Sequence, residues 1–150
     1  MTSAFAGFDD VALPALLRAA RAAYGSAIRE ALAEAGFDDL PRNGPYVIGA
    51  IARTGAPLSQ IIKELGVSKQ AAGQLVDTLV VRGYLARSVD SEDRRRLTVA
   101  LTERGHAAAA VSRAAIDQVD AELARKITPD YIAHTRATLA AIANVGRARE

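Results

Sequence analysis

GVSKQAAGQLVDTLVVRGYLARSVDSEDRRRLTVALTERG, residues 66–105, changes its hydrophobic period along its length. From Lys69 to about Arg82, the residues Ala72, Leu75, Val76, Leu79 and Val80 recur at three- and four-residue steps, the period of a helix with one apolar face. Ser68 stands where an N-cap belongs, because a short hydroxyl side chain accepts from the free N–H groups of the first turn. Gly83 stands where such a helix stops. From Tyr84 the period falls to two. YLARSV reads as a strand, and in RLTVALT the apolar Leu97, Val99 and Leu101 alternate with Thr98 and Ala100. DSEDRR between the strands is the tip of a hairpin, and Thr102 caps an alanine-rich helix that runs to about Lys126.

On the N-terminal side, APLSQIIKELG predicts a short helix from about Pro57 to Leu65, closed by Gly66, with Val67 anchoring the turn in the core. Two helices joined by a short turn containing glycine form a helix-turn-helix, and a hairpin directly after it makes a winged helix. Further out, Leu13, Leu16, Leu17, Ala20, Tyr24, Ile28 and Leu32 mark a long helix from about Val11 to Ala35, closed by Gly36. DDLPRNG is a loop, and PYVIGAIARTG is a second helix with Pro45 near its start. Thr128, Pro129 and Asp130 supply the N-cap, first position and acidic first turn of a last helix through Val145. The expected fold class is mainly α with a small β-hairpin wing. A winged helix-turn-helix at about 44–102 lies between helical arms at about 8–40 and 103–146, all within one domain, 1–150. The arms carry apolar stripes that so small a centre covers poorly, and the simplest cover is a second copy about a two-fold axis.

Composition narrows the function classes. A chain of 150 residues, half hydrophobic and a quarter charged, buries a real core. A net charge of +2 selects no partner by itself, so any nucleic-acid surface must come from local clustering. All the basic residues except Lys63, Lys69 and Lys126 are arginines, which suits phosphate and base-edge binding and equally suits GC-rich coding. The absence of cysteine excludes a disulfide framework, thiolate metal sites and a thiol sensor. No basic leader precedes an apolar run, and no run reaches the length of a membrane span, so the expectation is a cytoplasmic protein with no membrane association.

On the helix from Lys69, the face opposite the apolar one carries Gln70, Gly73, Gln74 and Asp77. Gln70 and Gln74 are one turn apart, and a glutamine amide donates and accepts together, as the major-groove edge of adenine requires. Gly73 removes a side chain between them and lets the helix approach a groove wall or a thymine methyl. Ser68 and Lys69 lie at the helix N-terminus, where N–H groups attract phosphate. The same residues also fit an ordinary polar surface. Asp77 would be repelled by phosphates and is expected to pair with an arginine of the wing. A hairpin tip beside such a helix falls over the adjacent minor groove, where inserted arginines gain from its negative potential. Asp90 and Asp93 would hold those arginines in one rotamer.

These residues resemble the winged-helix regulators of the multiple antibiotic resistance regulator (MarR) family. The resemblance rests on the helix-turn-helix, the LVDTLVVRGYL continuation, the Asp-x-x-Asp-Arg-Arg wing and the LTERG entry to the long helix. The flanking helices match the family's dimerisation arms in order and length. It implies a homodimer on double-stranded, pseudo-palindromic operator DNA, usually a repressor, with release by a small aromatic or phenolic ligand in a pocket between the arms and the winged domain. Carried over, Ser68, Lys69, Gln70 and Gln74 are DNA contacts of the recognition helix. Arg95 is the minor-groove arginine, Asp93 its buttress and Arg94 a tip residue at phosphate, while Arg96 begins the returning strand. The reactive cysteine of the family's redox-sensing branch is lacking.

Tyr24 and Tyr46, aromatic with a polar tip, are the candidates for a ligand pocket, although a core tyrosine with its hydroxyl at the surface has the same signature. His106 and His134 are far apart in sequence and read as ordinary histidines. No nucleophile elbow, phosphate loop or metal-spaced histidine pair is present, so neither an enzyme, a cofactor nor a metal site is expected. The alternative to a DNA reader is a winged-helix module that binds protein. It would present an apolar or aromatic recognition face, in place of the Gln-Gly-Gln face and arginine tip read here.

Overall fold

The computed structural model of the chain describes residues 7–89, 92–93 and 97–147. Its elements are α1 (Leu13–Glu34), α2 (Gly44–Thr54), α3 (Leu58–Leu65), α4 (Lys69–Val81), β1 (Leu85–Val89), β2 (Leu97–Leu101), α5 (Glu103–Lys126) and α6 (Pro129–Arg147). This is the mainly helical order with a two-stranded hairpin that the sequence predicts. The chain forms two compact units, Met1–Ile116 and Asp117–Glu150, whose boundary falls within α5.

In the first unit, two helices stop by the same device. Gly36 at φ 84° and Gly83 at φ 77° adopt the left-handed conformation that a side chain disfavours. Each glycine N–H returns to the carbonyl two positions inside its helix, Gly36 to Ala33 and Gly83 to Val80. The next residue's N–H reaches the carbonyl one residue further back, Phe37 to Leu32 at 2.8 Å and Tyr84 to Leu79 at 2.9 Å. This paired closure satisfies carbonyls that a helix end leaves bare, and it drives the following side chain inward. Both following side chains are aromatic, and their rings meet with centroids 6.2 Å apart.

The core gathers Leu32 from α1, Val47 and Ile48 from α2, Ile61 from α3 and Leu75 and Leu79 from α4. Tyr84, Leu85, Ala108 and Ala109 complete it, with Val99 and Leu101 of β2 packed against it. The antiparallel hairpin pairs Leu85 with Leu101, Arg87 with Val99 and Val89 with Leu97. Side chains alternate across a strand, so Arg87 shares the helix-facing side with Leu85 and Val99. Ser88 and Thr98, opposite one another on the other side, join their hydroxyls at 2.9 Å.

The second unit holds the end of α5 and the whole of α6. Pro129 opens α6 with Asp130 in its first turn. Tyr131, Leu139, Ile142 and Val145 of α6 are exposed, the first at 61 %. No helix among the described residues is long and apolar enough to cross a membrane.

Candidate nucleic-acid interface

Helix α4 is anchored by its apolar face and presents the opposite one. Ala72, Leu75 and Leu79 are buried, and Lys69, Gln70, Gly73, Gln74 and Asp77 are exposed. Ser68 caps the helix, its Oγ accepting from the Ala71 N–H at 3.1 Å. The remaining first-turn N–H groups therefore stay available at that end, beside Lys69. The Gln70 and Gln74 amides hydrogen-bond no other described side chain. Gln60 of α3, by contrast, donates to Glu64 at 3.3 Å.

The hairpin is tied to this helix at its base. Arg87 of β1 donates to the Asp77 carboxylate, with both side chains more than half exposed. The pairing neutralises a negative charge on the presented face and fixes the strand beside α4. The arginine that Asp77 meets therefore belongs to the strand. Asp90, Arg94, Arg95 and Arg96 lie outside the described residues, as does Ser91; Asp93 is described and exposed.

A second constellation, unread in the sequence, sets where these elements stand. Asp39, in the loop between α1 and α2, accepts from the Tyr84 hydroxyl and from Arg104 at 3.1 Å. Arg82 donates to the Asp39 carbonyl. The Arg104 guanidinium lies 4.7 Å from the Tyr84 ring centroid and 5.6 Å from that of Phe37, within cation–π range. Tyr84 is fully buried, and burial pushes its phenol above the ordinary value, with Asp39 as acceptor adding to the shift. The hydrogen bond from Tyr84, then Arg104, holds the Asp39 carboxyl below the ordinary carboxylate value. One corner thus joins the α1–α2 loop, the end of α4 and the first turn of α5. The repeated Gly-aromatic pairs, Gly36-Phe37 and Gly83-Tyr84, were the sequence signal for it.

The start of α5 fits this corner closely. The Thr102 hydroxyl donates to the Gly83 carbonyl and accepts from the Gly105 N–H at 3.0 Å, and the Thr102 N–H donates to the Tyr84 carbonyl at 3.1 Å. A Cβ on Gly105 would stand 2.1 Å from that Tyr84 oxygen. The glycine of LTERG lets helix and strand touch.

Tyr24 is half-buried on α1. Tyr46 on α2 is 44 % exposed and donates to Glu64 of α3 at 3.5 Å. Burial, then Glu64, raises its phenol above the ordinary value. Neither tyrosine lines either of two clefts of about 240 and 250 Å³ in this unit; Arg42 borders both, and Gln74 borders the second. His106 and His134 are exposed. No cluster of three or more potential metal ligands occurs among the described residues.

Residues 38–96 match the model of the MarR family. The fold is similar to that of MepR from S. aureus in complex with DNA, with a TM-score of 0.70 at 18 % identity over 89 % of this chain and 98 % of that one. Streptococcus pneumoniae FabT in complex with DNA gives 0.73 at 19 %, over 91 % and 96 %. Wild-type MarR from E. coli in its apo form gives 0.64 at 22 %, over 88 % and 97 %. No curated protein matches the chain in sequence.

Proposed function

From the match of residues 38–96 to the MarR family model, we propose that this chain is a MarR-family, dimeric, sequence-specific DNA-binding transcription regulator, a repressor released by a small ligand. The observation that carries the reading is the presented face of α4. It offers two glutamine amides without side-chain partners among the described residues, a capped N-terminus with Lys69 beside it, and a neighbouring strand held in place by Asp77 and Arg87. In this reading Ser68 and Lys69 seat a phosphate while Gln70 and Gln74 read base edges in the major groove. Arg94 and Arg95 extend the contact from the wing, with Asp90 and Asp93 orienting them. MepR and FabT, whose folds this chain shares, form DNA complexes.

Dimerisation is supported by apolar side chains left uncovered in each unit, Leu13 at the start of α1 and Leu139, Ile142 and Val145 on α6. A dimer would set two recognition helices about 34 Å apart, one turn of DNA. The ligand is a small aromatic or phenolic molecule, with Tyr24 and Tyr46 as candidates for its pocket. Cytoplasmic location accords with this role.

The test is a fluorescence-anisotropy titration against the promoter DNA flanking the protein's own gene, with random duplex as competitor, at two salt concentrations. Sequence-specific binding survives the competitor. Binding equally weak to every duplex and steeply salt-dependent contradicts base readout. No binding at low salt turns the reading to a protein-binding module.

A further inference from the structure

Gly73 lies in the interior of α4, on the presented face, in a helix where glycine is the poorest ordinary choice. Nothing inside the described chain asks for it. Its φ is not positive, and a Cβ built on it meets no atom within 4 Å. Gly105 and Gly44 differ, since a Cβ on either would strike neighbours at 2.1 and 2.9 Å. Open space alone settles nothing, because Gly49 of α2 has it too. What distinguishes Gly73 is its company. Gln70 and Gln74 are three residues before it and one after it on the same face, and neither amide bonds another described side chain.

We propose that Gly73 is a specificity-determining residue whose bare Cα seats the C5-methyl group of a thymine, beside an adenine read by Gln74. The proposal rests on the DNA-binding reading and assigns one reading position of the half-site to an A·T pair. The chemistry follows from the groove. The thymine methyl is the one apolar group that projects into the major groove, and adenine presents the donor–acceptor pair that a carboxamide matches. A helix without a side chain at one position lies closer at that position. The methyl then fills the volume that an alanine Cβ would take.

The test compares wild type with Gly73→Ala on two duplexes. The first is the tightest binder that wild type selects from a random-sequence pool. The second is the same duplex with deoxyuridine in place of every thymine, which removes the methyls and keeps the base pairing. Alanine is the better helix former, so the variant folds, and thermal denaturation verifies this. The expected result is that Gly73→Ala binds the thymine duplex about tenfold more weakly than wild type. On the deoxyuridine duplex the gap closes to about threefold or less, because the vacated space accepts the Cβ. Equal affinity of the two proteins for the thymine duplex overturns the proposal, and so does a gap of the same size on both duplexes. Failure of wild type to enrich any sequence would overturn the DNA-binding reading itself, a result separate from either of these.

Discussion

The tightest constraint in the first unit is Gly105, and Gly105→Ala tests whether the corner at Tyr84 is a real junction. A carbon atom approaches a carbonyl oxygen at about 3.3 Å, whereas the added Cβ would lie 2.1 Å from the Tyr84 oxygen and 3.0 Å from Leu101 Cδ2. The first turn of α5 must then withdraw from β1 by about 1 Å. Neither side yields cheaply, since the oxygen is backbone and already accepts from the Thr102 N–H at 3.1 Å. Overpacking of this kind costs about 1–3 kcal/mol. The withdrawal also loosens the Thr102 cap, which adds about 1 kcal/mol. The helix propensity of alanine returns about 1 kcal/mol, leaving a net loss of about 1–3 kcal/mol. In a chain of this size, that lowers the melting temperature by about 2–12 °C. The assay is urea denaturation followed by circular dichroism, at one protein concentration because dimerisation would shift the midpoint. A variant within about 0.5 kcal/mol of wild type would refute the reasoning, since the close approach would then be absent or easily relieved.

Three further outcomes are expected. Ser68→Asp keeps a side chain that caps as well as serine, so stability is preserved, while the new carboxylate at a phosphate position lowers DNA affinity at least tenfold; unchanged affinity in the anisotropy titration removes Ser68 from the interface. Arg87→Ala breaks an exposed ion pair, so the unfolding free energy changes by less than about 1 kcal/mol, whereas DNA binding weakens severalfold as the wing base is released and the Asp77 carboxylate is left unbalanced; a variant that binds as wild type does shows that the pair positions nothing. For Asp39, a folded-state pKa below the ordinary 3.8 means that its contribution to stability is present above that value and lost as pH falls through the lower one. Asp39→Asn should therefore be less stable than wild type at pH 7, with the difference shrinking below about pH 4; parallel stability curves down to pH 2 would contradict the linkage.

Most of the architecture is legible in the sequence because its signals are local. Glycine at Gly36, Gly66 and Gly83 marks helix ends through backbone conformation alone, Ser68 marks a helix start through one short hydrogen bond, and the change of period at Tyr84 separates helix from strand. The same locality places Gln70, Gly73, Gln74 and Asp77 on one face of α4, since helical periodicity needs no tertiary information. Asp77 invited a charged partner for the same reason, although its identity could not be read.

Tertiary structure decided the rest. Arg87 becomes the partner of Asp77 only because the strand pleat turns it toward the helices, with the hairpin returning beside α4. Tyr84 and Arg104 lie 45 and 65 residues beyond Asp39 along the chain. No spacing rule links them, and their convergence follows from two helix closures that aim Phe37 and Tyr84 into one corner. Gly105 reads in sequence as one more helix residue, and only the distance to the Tyr84 oxygen shows why a side chain is refused there. The sequence by itself determined the elements and the face that α4 presents, because those depend on residues within a few turns of one another. Which groups meet across elements depends on packing between segments far apart in the chain, and that is settled only when the core closes.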